Sequence, residues 1–417
     1  MALRKYSSPA DIPFYEFFKR HMLGNQPCLF SAAFTSDWPA RRHWVVAETG
    51  KPNLQRLRRE FGDAEVPVVC NDDGDIFEYD DGSGRSKIFS VFLNDMEKRP
   101  NDEDDVSTMW QWQYIKDWHF TKAFPEYEAY WTPALFSSDW MNEYWDVKED
   151  PQQLDYRFLY FGWKNSWTPF HADVLRSFSW SANVCGRKLW YLVPPGQETH
   201  FCRRESGEKF LPDIRLRADA FSDAGVLEVY QEAGEIIFVP SNWHHQVHNL
   251  EDTLSLNHNW FNATNVSCVW AYLQKRLGKV EDEIADSKEL LAEEWTAHCQ
   301  LVLKADIGID YAEFLTLLRL ILCAREEQLL DRKNAAASKN MNEDKEEYDA
   351  LLNLDPTSTP EAVLAASTLI DRCTCSSPAE LCDSCTNFVW KYDVTTCKKY
   401  IRLVRDALNA LELEHQE

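Results

Sequence analysis

No stretch of this 417-residue chain approaches the roughly 20 consecutive apolar residues needed to cross a bilayer. The opening segment, MALRKYSSPADIPFYEFF, has no apolar run long enough for a secretory signal. Both absences argue against a membrane or exported protein and lead to the expectation of a cytoplasmic one. Its 12 cysteines are then expected as thiols or metal ligands rather than disulfides. Basic charge is also short, with 44 Lys and Arg against 68 Asp and Glu, a net of −24. That field repels a polyanion, so no direct nucleic-acid binding is expected, whereas a basic protein segment would be attracted. No internal repeat is visible.

What is abundant is aromatic. Phe, Tyr and Trp make up 13% of the chain, with 17 Trp, a load that suits thick β-rich cores. The N-terminal part reads as short helices and strands. Phe14, Phe17, Phe18 and His21 recur at helical spacing, Leu54, Leu57 and Phe61 mark a second helix closed by Gly62, and Val66–Cys70 reads as a strand. Turn clusters flank Ile76–Tyr79, and the acidic Asn101–Asp105 reads as a loop. Between about Asp155 and Trp260, short apolar segments alternate with turns and no 3.6-residue period is sustained. This pattern predicts a barrel or sandwich. After Trp260 the pattern turns helical. Val266, Trp270, Leu273 and Leu277 share one face, Asp310 and Glu313 precede a second apolar face at Phe314, Leu317, Leu318 and Ile321, and Ile401, Val404, Leu408 and Leu411 form a third. The polar run 333–347 reads as a linker or insertion. Three regions result: 1–110, supporting elements; 111–262, the β core; and 263–417, helical.

The chemistry concentrates in two segments, WTPFHADVLRSFSWSANVCGRKLWYLVPPG (167–196) and GEIIFVPSNWHHQVHN (234–249). Two imidazoles and one carboxylate on one face of a metal, with the other positions open, suit iron(II) that must also bind a co-substrate and dioxygen. His171 and Asp173 are two residues apart, which on a strand places them on one face. Alone, such a triplet also fits a structural histidine. The third ligand must come from a strand adjacent in space, and His244 and His245 are the candidates. Strand alternation groups His245 with Trp243, Val247 and Asn249, the more apolar side, and this selects His245. Lys188, Trp190 and Leu192 share parity, so Lys188 would be a buried ammonium in an apolar row and would need an anion. The distal carboxylate of 2-oxoglutarate is such an anion.

Together with YRFLYFGWKNSWTPFHAD (156–173), GRKLW (186–190), NQPCLF (25–30) and the Trp38-Pro39-Ala40 step, these segments resemble the Jumonji C (JmjC) oxygenases over roughly residues 10–262. The resemblance implies a β-rich α+β fold: a double-stranded β-helix of the cupin-like type with N-terminal flanking helices and an α-helical C-terminal region. It implies Fe(II), 2-oxoglutarate and dioxygen as cofactor and co-substrates, with His171, Asp173 and His245 as iron ligands. Lys188 and Thr168 would hold the 5-carboxylate, and Tyr114 would line that pocket. The family's Asn on the strand after the aspartate falls at Ser181 here, with Asn183 two residues on and of the same parity. Asn257 aligns with a polar co-substrate contact. Within the family the chain is most similar to the small hydroxylases, which implies hydroxylation of a protein lysine, in a translation termination release factor, and C-terminal helices that either cover the barrel or build a homodimer interface. Histone N-methyl-lysine demethylation uses the same chemistry and is the enzymatic alternative. A catalytically silent cupin-like scaffold is the other, and it would not turn over 2-oxoglutarate. A separate Cys-x-Cys and Cys-x-x-Cys pair, Cys373, Cys375, Cys382 and Cys385, has the composition of a zinc site.

Overall fold

The computed structural model describes residues 3–70, 85–99, 112–148, 155–203, 209–338 and 380–411. The strands are β1 (Arg4–Tyr6), β2 (Cys28–Phe30), β3 (Glu65–Cys70), β4 (Arg85–Ile88), β5 (Gln113–Trp118), β6 (Arg157–Gly162), β7 (Trp167–His171), β8 (Phe178–Cys185), β9 (Lys188–Val193), β10 (Leu227–Gln231), β11 (Ile236–Val239), β12 (His244–Asn249) and β13 (Thr253–Trp260). They form a nine-stranded sheet, ordered β1-β2-β11-β8-β13-β6-β5-β3-β4, and a four-stranded sheet, ordered β10-β9-β12-β7. The N-terminal strands extend the large sheet at both edges: β1 and β2 beyond β11, and β3 and β4 beyond β5.

Side-chain alternation dictates how the sheets stack. In β8, Phe178, Trp180, Ala182 and Val184 join the large aromatic core on the outer face of the nine-stranded sheet. Phe136 stacks on Trp180 there, with ring centroids 5.7 Å apart. The intervening Ser179, Ser181 and Asn183 have the opposite parity and face the small sheet. Leu29, Ile237 and Val239 of the large sheet meet Trp190, Leu192, Val229, Trp243 and Val247 of the small one in a second apolar cluster. The space between the sheets is therefore dry at one end and polar at the other. The tight β8–β9 connection, which carries the chain from the large sheet to the small one, turns at Gly186, where φ is +77° and a Cβ would sit 2.2 Å from the Asp252 carbonyl oxygen.

Helices α1 (Phe14–Phe17), α2 (Pro39–His43), α3 (Leu54–Phe61), α4 (Phe89–Lys98), α5 (Phe120–Ala123) and α6 (Trp140–Val147) precede β6. After β13 come α7 (Val266–Glu283), α8 (Lys288–Leu291), α9 (Trp295–Ile307), α10 (Tyr311–Ser338) and α11 (Asp383–Ala410). The apolar faces expected from the sequence are covered by the rest of the chain. Phe314 stacks with Trp270 of α7, centroids 5.9 Å apart. Phe388 of α11 meets Phe18 edge-on at 5.1 Å. Arg325 of α10 is buried; its Nε donates to Asp393 Oδ2 of α11 at 2.8 Å and its Nη2 to Glu143 Oε1 of α6 at 2.6 Å. Asp310 accepts from the Glu313 backbone N–H at 2.7 Å, while the Glu313 carboxylate accepts from Tyr144 and Lys148. Residues 333–338 of the predicted linker continue α10. The rest of that run, the Ile76–Tyr79 and Asn101–Asp105 segments, Cys373 and Cys375 lie outside the described residues. No helix among the described residues is long and apolar enough to cross a membrane.

Candidate metal and co-substrate site

Strand β7 ends at His171, and antiparallel β12 places His245 directly across from it. The two imidazole centroids are 4.4 Å apart. Asp173 lies just past β7, and one ligand atom from each of His171, Asp173 and His245 comes within 4.8 Å of the others. His171 Nδ1 is 2.7 Å from the Pro169 carbonyl oxygen, and His245 Nδ1 is 3.1 Å from that of Trp243. A carbonyl oxygen only accepts, so Nδ1 carries the proton in each ring and Nε2 keeps its lone pair for a metal. Burial, reinforced by the neighbouring His245, holds His171 well below the ordinary histidine pKa, so the ring is neutral. Ser179 Oγ donates to Asp173 Oδ2 at 2.7 Å and fixes the carboxylate. The turn after Asp173 carries two left-handed residues that are not glycine, Leu175 (φ 52°) and Arg176 (φ 56°). The Arg176 guanidinium lies over the ring of Tyr272 in α7 at 4.9 Å, so the helical region buttresses this turn.

His244 points the other way. It packs beside Phe170 and Phe210, with centroids 5.4 and 5.0 Å away, and burial and then Arg176 lower its pKa to about 3. The turn before β12 sets this phase. Asn242 is left-handed (φ 64°), Trp243 Nε1 donates to the Asn25 carbonyl at 3.0 Å, and Asn25 Nδ2 donates to the Ser241 carbonyl at 3.0 Å.

Lys188 starts β9 with only 1% of its surface exposed. Its row continues to Trp190 and Leu192 in the dry end of the interior, and across the ladders it faces Asn249 and Gln231. It makes no ion pair among the described residues, and burial lowers its pKa to about 7. Asn249 connects it to the predicted pocket. Burial raises the pKa of the Tyr114 hydroxyl to about 12, against the opposing effect of the Thr168 and Asn249 side chains. Asn249 Nδ2 also donates to Ser166 Oγ at 2.7 Å, while its Oδ1 is buried without a partner. Gly162 makes room for this crowd: a Cβ there would lie 2.1 Å from Asn249 Nδ2 and 2.6 Å from Ser166 Oγ.

Residues 158–260 match the family described as JmjC domain, hydroxylase. The chain is 48% identical over 319 residues to the 2-oxoglutarate and iron-dependent oxygenase JMJD4 of Danio rerio, covering 75% of this chain and 73% of that one. It is 39% identical to the Homo sapiens protein of the same name, covering 79% and 78%. It is also 41% identical to the arginine-specific demethylase JMJ20 of Arabidopsis thaliana, covering 73% and 67%. The chain belongs to the JmjC family of 2-oxoglutarate- and iron-dependent oxygenases.

The residues present in this JmjC oxygenase fit both groups. Two imidazoles whose Nδ1 faces a backbone carbonyl, leaving Nε2 for a metal, and one oriented carboxylate are a donor set for iron(II). A buried ammonium across the ladder from Asn249, whose Oδ1 has no partner among the described residues, calls for a polar, anionic occupant. The two asparagines taken from the resemblance lie on the inner face of the large sheet, with partners of their own. Asn257 Oδ1 accepts from Ser181 Oγ at 3.0 Å. Asn183 Nδ2 donates to the Gly186 carbonyl at 2.7 Å and so serves the turn between β8 and β9. Ser179, Ser166, Gly162 and Asn249 are absent from the sequence-based set. Asn249 has the parity of His245 and Ser179 that of Ser181, so alternation held a signal for both. No signal of that kind exists for Gly162 and Ser166, because their roles depend on the β5–β6 register and the bend before β7.

Beyond the ligands lies a cleft of about 440 Å³, lined by His171, Asp173, Lys116, Asp117, Asn259 and an aromatic group that includes Phe158 and Tyr160.

Proposed function

We propose that this oxygenase hydroxylates a lysine side chain of a protein substrate, with a translation release factor as the candidate, and that His171, Asp173 and His245 hold the iron. The observation that carries the reading is the cleft. It reaches the ligands His171 and Asp173, its walls include Trp145, Tyr156, Phe158 and Tyr160, and a carboxylate, Asp117, lies on it. A long aliphatic side chain ending in a cation suits such walls. The acidic net charge favours approach of a basic segment.

Iron with 2-oxoglutarate supplies the dioxygen activation that puts oxygen into a substrate C–H bond, with succinate and carbon dioxide as co-products. The chain supplies placement. Lys188, Tyr114 and Thr168 hold the distal carboxylate, Ser179 orients Asp173, and the Trp190, Leu192 and Val247 cluster keeps water from the inner end. A second reading, removal of an arginine methyl group, is favoured by the Arabidopsis thaliana relative's name. Mass spectrometry of a release factor and of a methylarginine peptide, each incubated with enzyme, Fe(II), 2-oxoglutarate and ascorbate, separates the two. Gain of one oxygen on lysine is expected. Loss of a methyl group from the arginine peptide alone would favour the second reading, and no change in either would refute both.

A further inference from the structure

Three carboxylates line the cleft: Asp117, Asp155 and Asp173. Asp173 belongs to the metal set. Asp155 is 1% exposed and already taken, with His119 Nδ1 at 3.0 Å, Thr121 Oγ1 at 2.7 Å and Arg157 Nη1 at 3.5 Å. Asp117 differs. Its side chain is 51% exposed, Tyr160 donates to its Oδ1, and Lys116 Nζ reaches its Oδ2 only at 4.0 Å.

The backbone explains how it comes to face the cleft. In a regular strand Lys116 and Asp117 would point to opposite sides. The β5–β6 register shifts between Ile115 and Trp118, and Asp117 takes a left-handed φ of 59°. Both residues consequently line the same cleft. Asp is one of the few side chains that tolerate this conformation. The Tyr160 hydroxyl then holds Oδ1 in place, while Oδ2 has the Lys116 ammonium at 4.0 Å, on a cleft that His171 also lines.

We propose that Asp117 is the specificity-determining residue of the substrate cleft: its carboxylate, backed by the Phe158 and Tyr160 rings, receives the cationic head of the side chain to be oxidised. The inference rests on reading the substrate as a lysine- or arginine-type side chain. It adds which residue does the selecting, and it makes charge, rather than length, the selected property.

Asp117→Asn is the appropriate variant. Asn also tolerates a left-handed φ and keeps an oxygen that can accept from Tyr160, so only the charge is lost. The probes are short peptides that differ only in a central lysine, arginine, norleucine or glutamate. Binding is measured by calorimetry to protein loaded with Mn(II) and the inert analogue N-oxalylglycine. The wild type is expected to bind the lysine or arginine peptide about tenfold more tightly than the norleucine one, the scale of one charge-assisted pair. Asp117→Asn should abolish that preference. Equal preference in the variant, or none in the wild type, overturns the proposal. Mass analysis of the same peptides with Fe(II) and 2-oxoglutarate keeps the two readings apart. An Asp117-dependent cation preference without oxygen gain on lysine sinks the hydroxylase reading and leaves the subsite standing. Oxygen gain with a preference indifferent to Asp117 does the reverse.

Discussion

Ser179 Oγ donates to Asp173 Oδ2 at 2.7 Å, joining the carboxylate of the candidate metal site to the inner face of the nine-stranded sheet. Outer partners of this kind typically matter by about 10–100-fold in metal affinity. Ser179→Ala should therefore weaken Mn(II) or Fe(II) binding by about that factor in a metal titration, with an unchanged circular dichroism spectrum. Unaltered affinity would show that the turn alone fixes Asp173.

The two adjacent histidines of β12 provide a sharper contrast. His245→Ala should lose metal binding and 2-oxoglutarate turnover, whereas His244→Ala should still bind metal, because His244 is packed between Phe170 and Phe210 on the opposite face. Metal content of the purified variants reads this directly. A metal-free His244→Ala protein beside a loaded His245→Ala protein would reverse the assignment.

Lys188 makes the co-substrate step pH-dependent. Burial lowers its pKa to about 7, so above that pH the unliganded protein holds a neutral amine. Binding a dicarboxylate then requires uptake of a proton. Affinity should be level below this pH and fall by about tenfold per unit above it, until the pKa of the liganded state is reached. Lys188→Ala should lose about 2–5 kcal/mol of 2-oxoglutarate binding. It should also flatten the profile above pH 7. A titration of 2-oxoglutarate affinity against pH for both proteins tests the two statements together, and a sloping profile in the variant would assign the proton elsewhere.

The helical region should prove necessary for folding. Arg325 and Asp393 are both buried and bonded to each other, with Glu143 of α6 on the same guanidinium. Arg325→Ala leaves Asp393 buried without its cation, with the Ser138 hydroxyl still donating at 3.2 Å, and should cost about 3–5 kcal/mol in a denaturant titration. Leu317→Asp and Ile321→Asp place a charge at fully buried positions and should give insoluble protein. Soluble, wild-type-like protein from either aspartate variant would mean that this face is not required.

Much of this architecture is legible in the chain, and the illegible parts share a cause. Short apolar runs bounded by turns mark the strands, so Val66–Cys70 falls within β3, and two-residue alternation assigns their faces. The same alternation singles out His245, which faces His171. Helical spacing identifies the apolar faces of α7, α10 and α11. Contacts between distant strands are not written locally. That Gly162 must be small follows only from Asn249 and Ser166 arriving at its α-carbon. That Asp117 faces the cleft follows only from a shift in the β5–β6 register. The Arg325–Asp393–Glu143 cluster joins three helices whose order in space no periodicity encodes.

The adjacency of His244 and His245 has a genetic consequence. Loss or gain of one codon in the turn between Pro240 and Trp243 would leave every histidine of the segment in the gene. It would also rotate the strand half a turn, sending His244, Gln246 and His248 inward and His245, Val247 and Asn249 outward. A descendant with such an indel would still read as a complete motif, yet it would have exchanged its catalyst for its scaffold. What lineages must transmit intact here is a spacing, and the Asn25 contacts to Ser241 and Trp243 are the means by which a distant part of the gene constrains it.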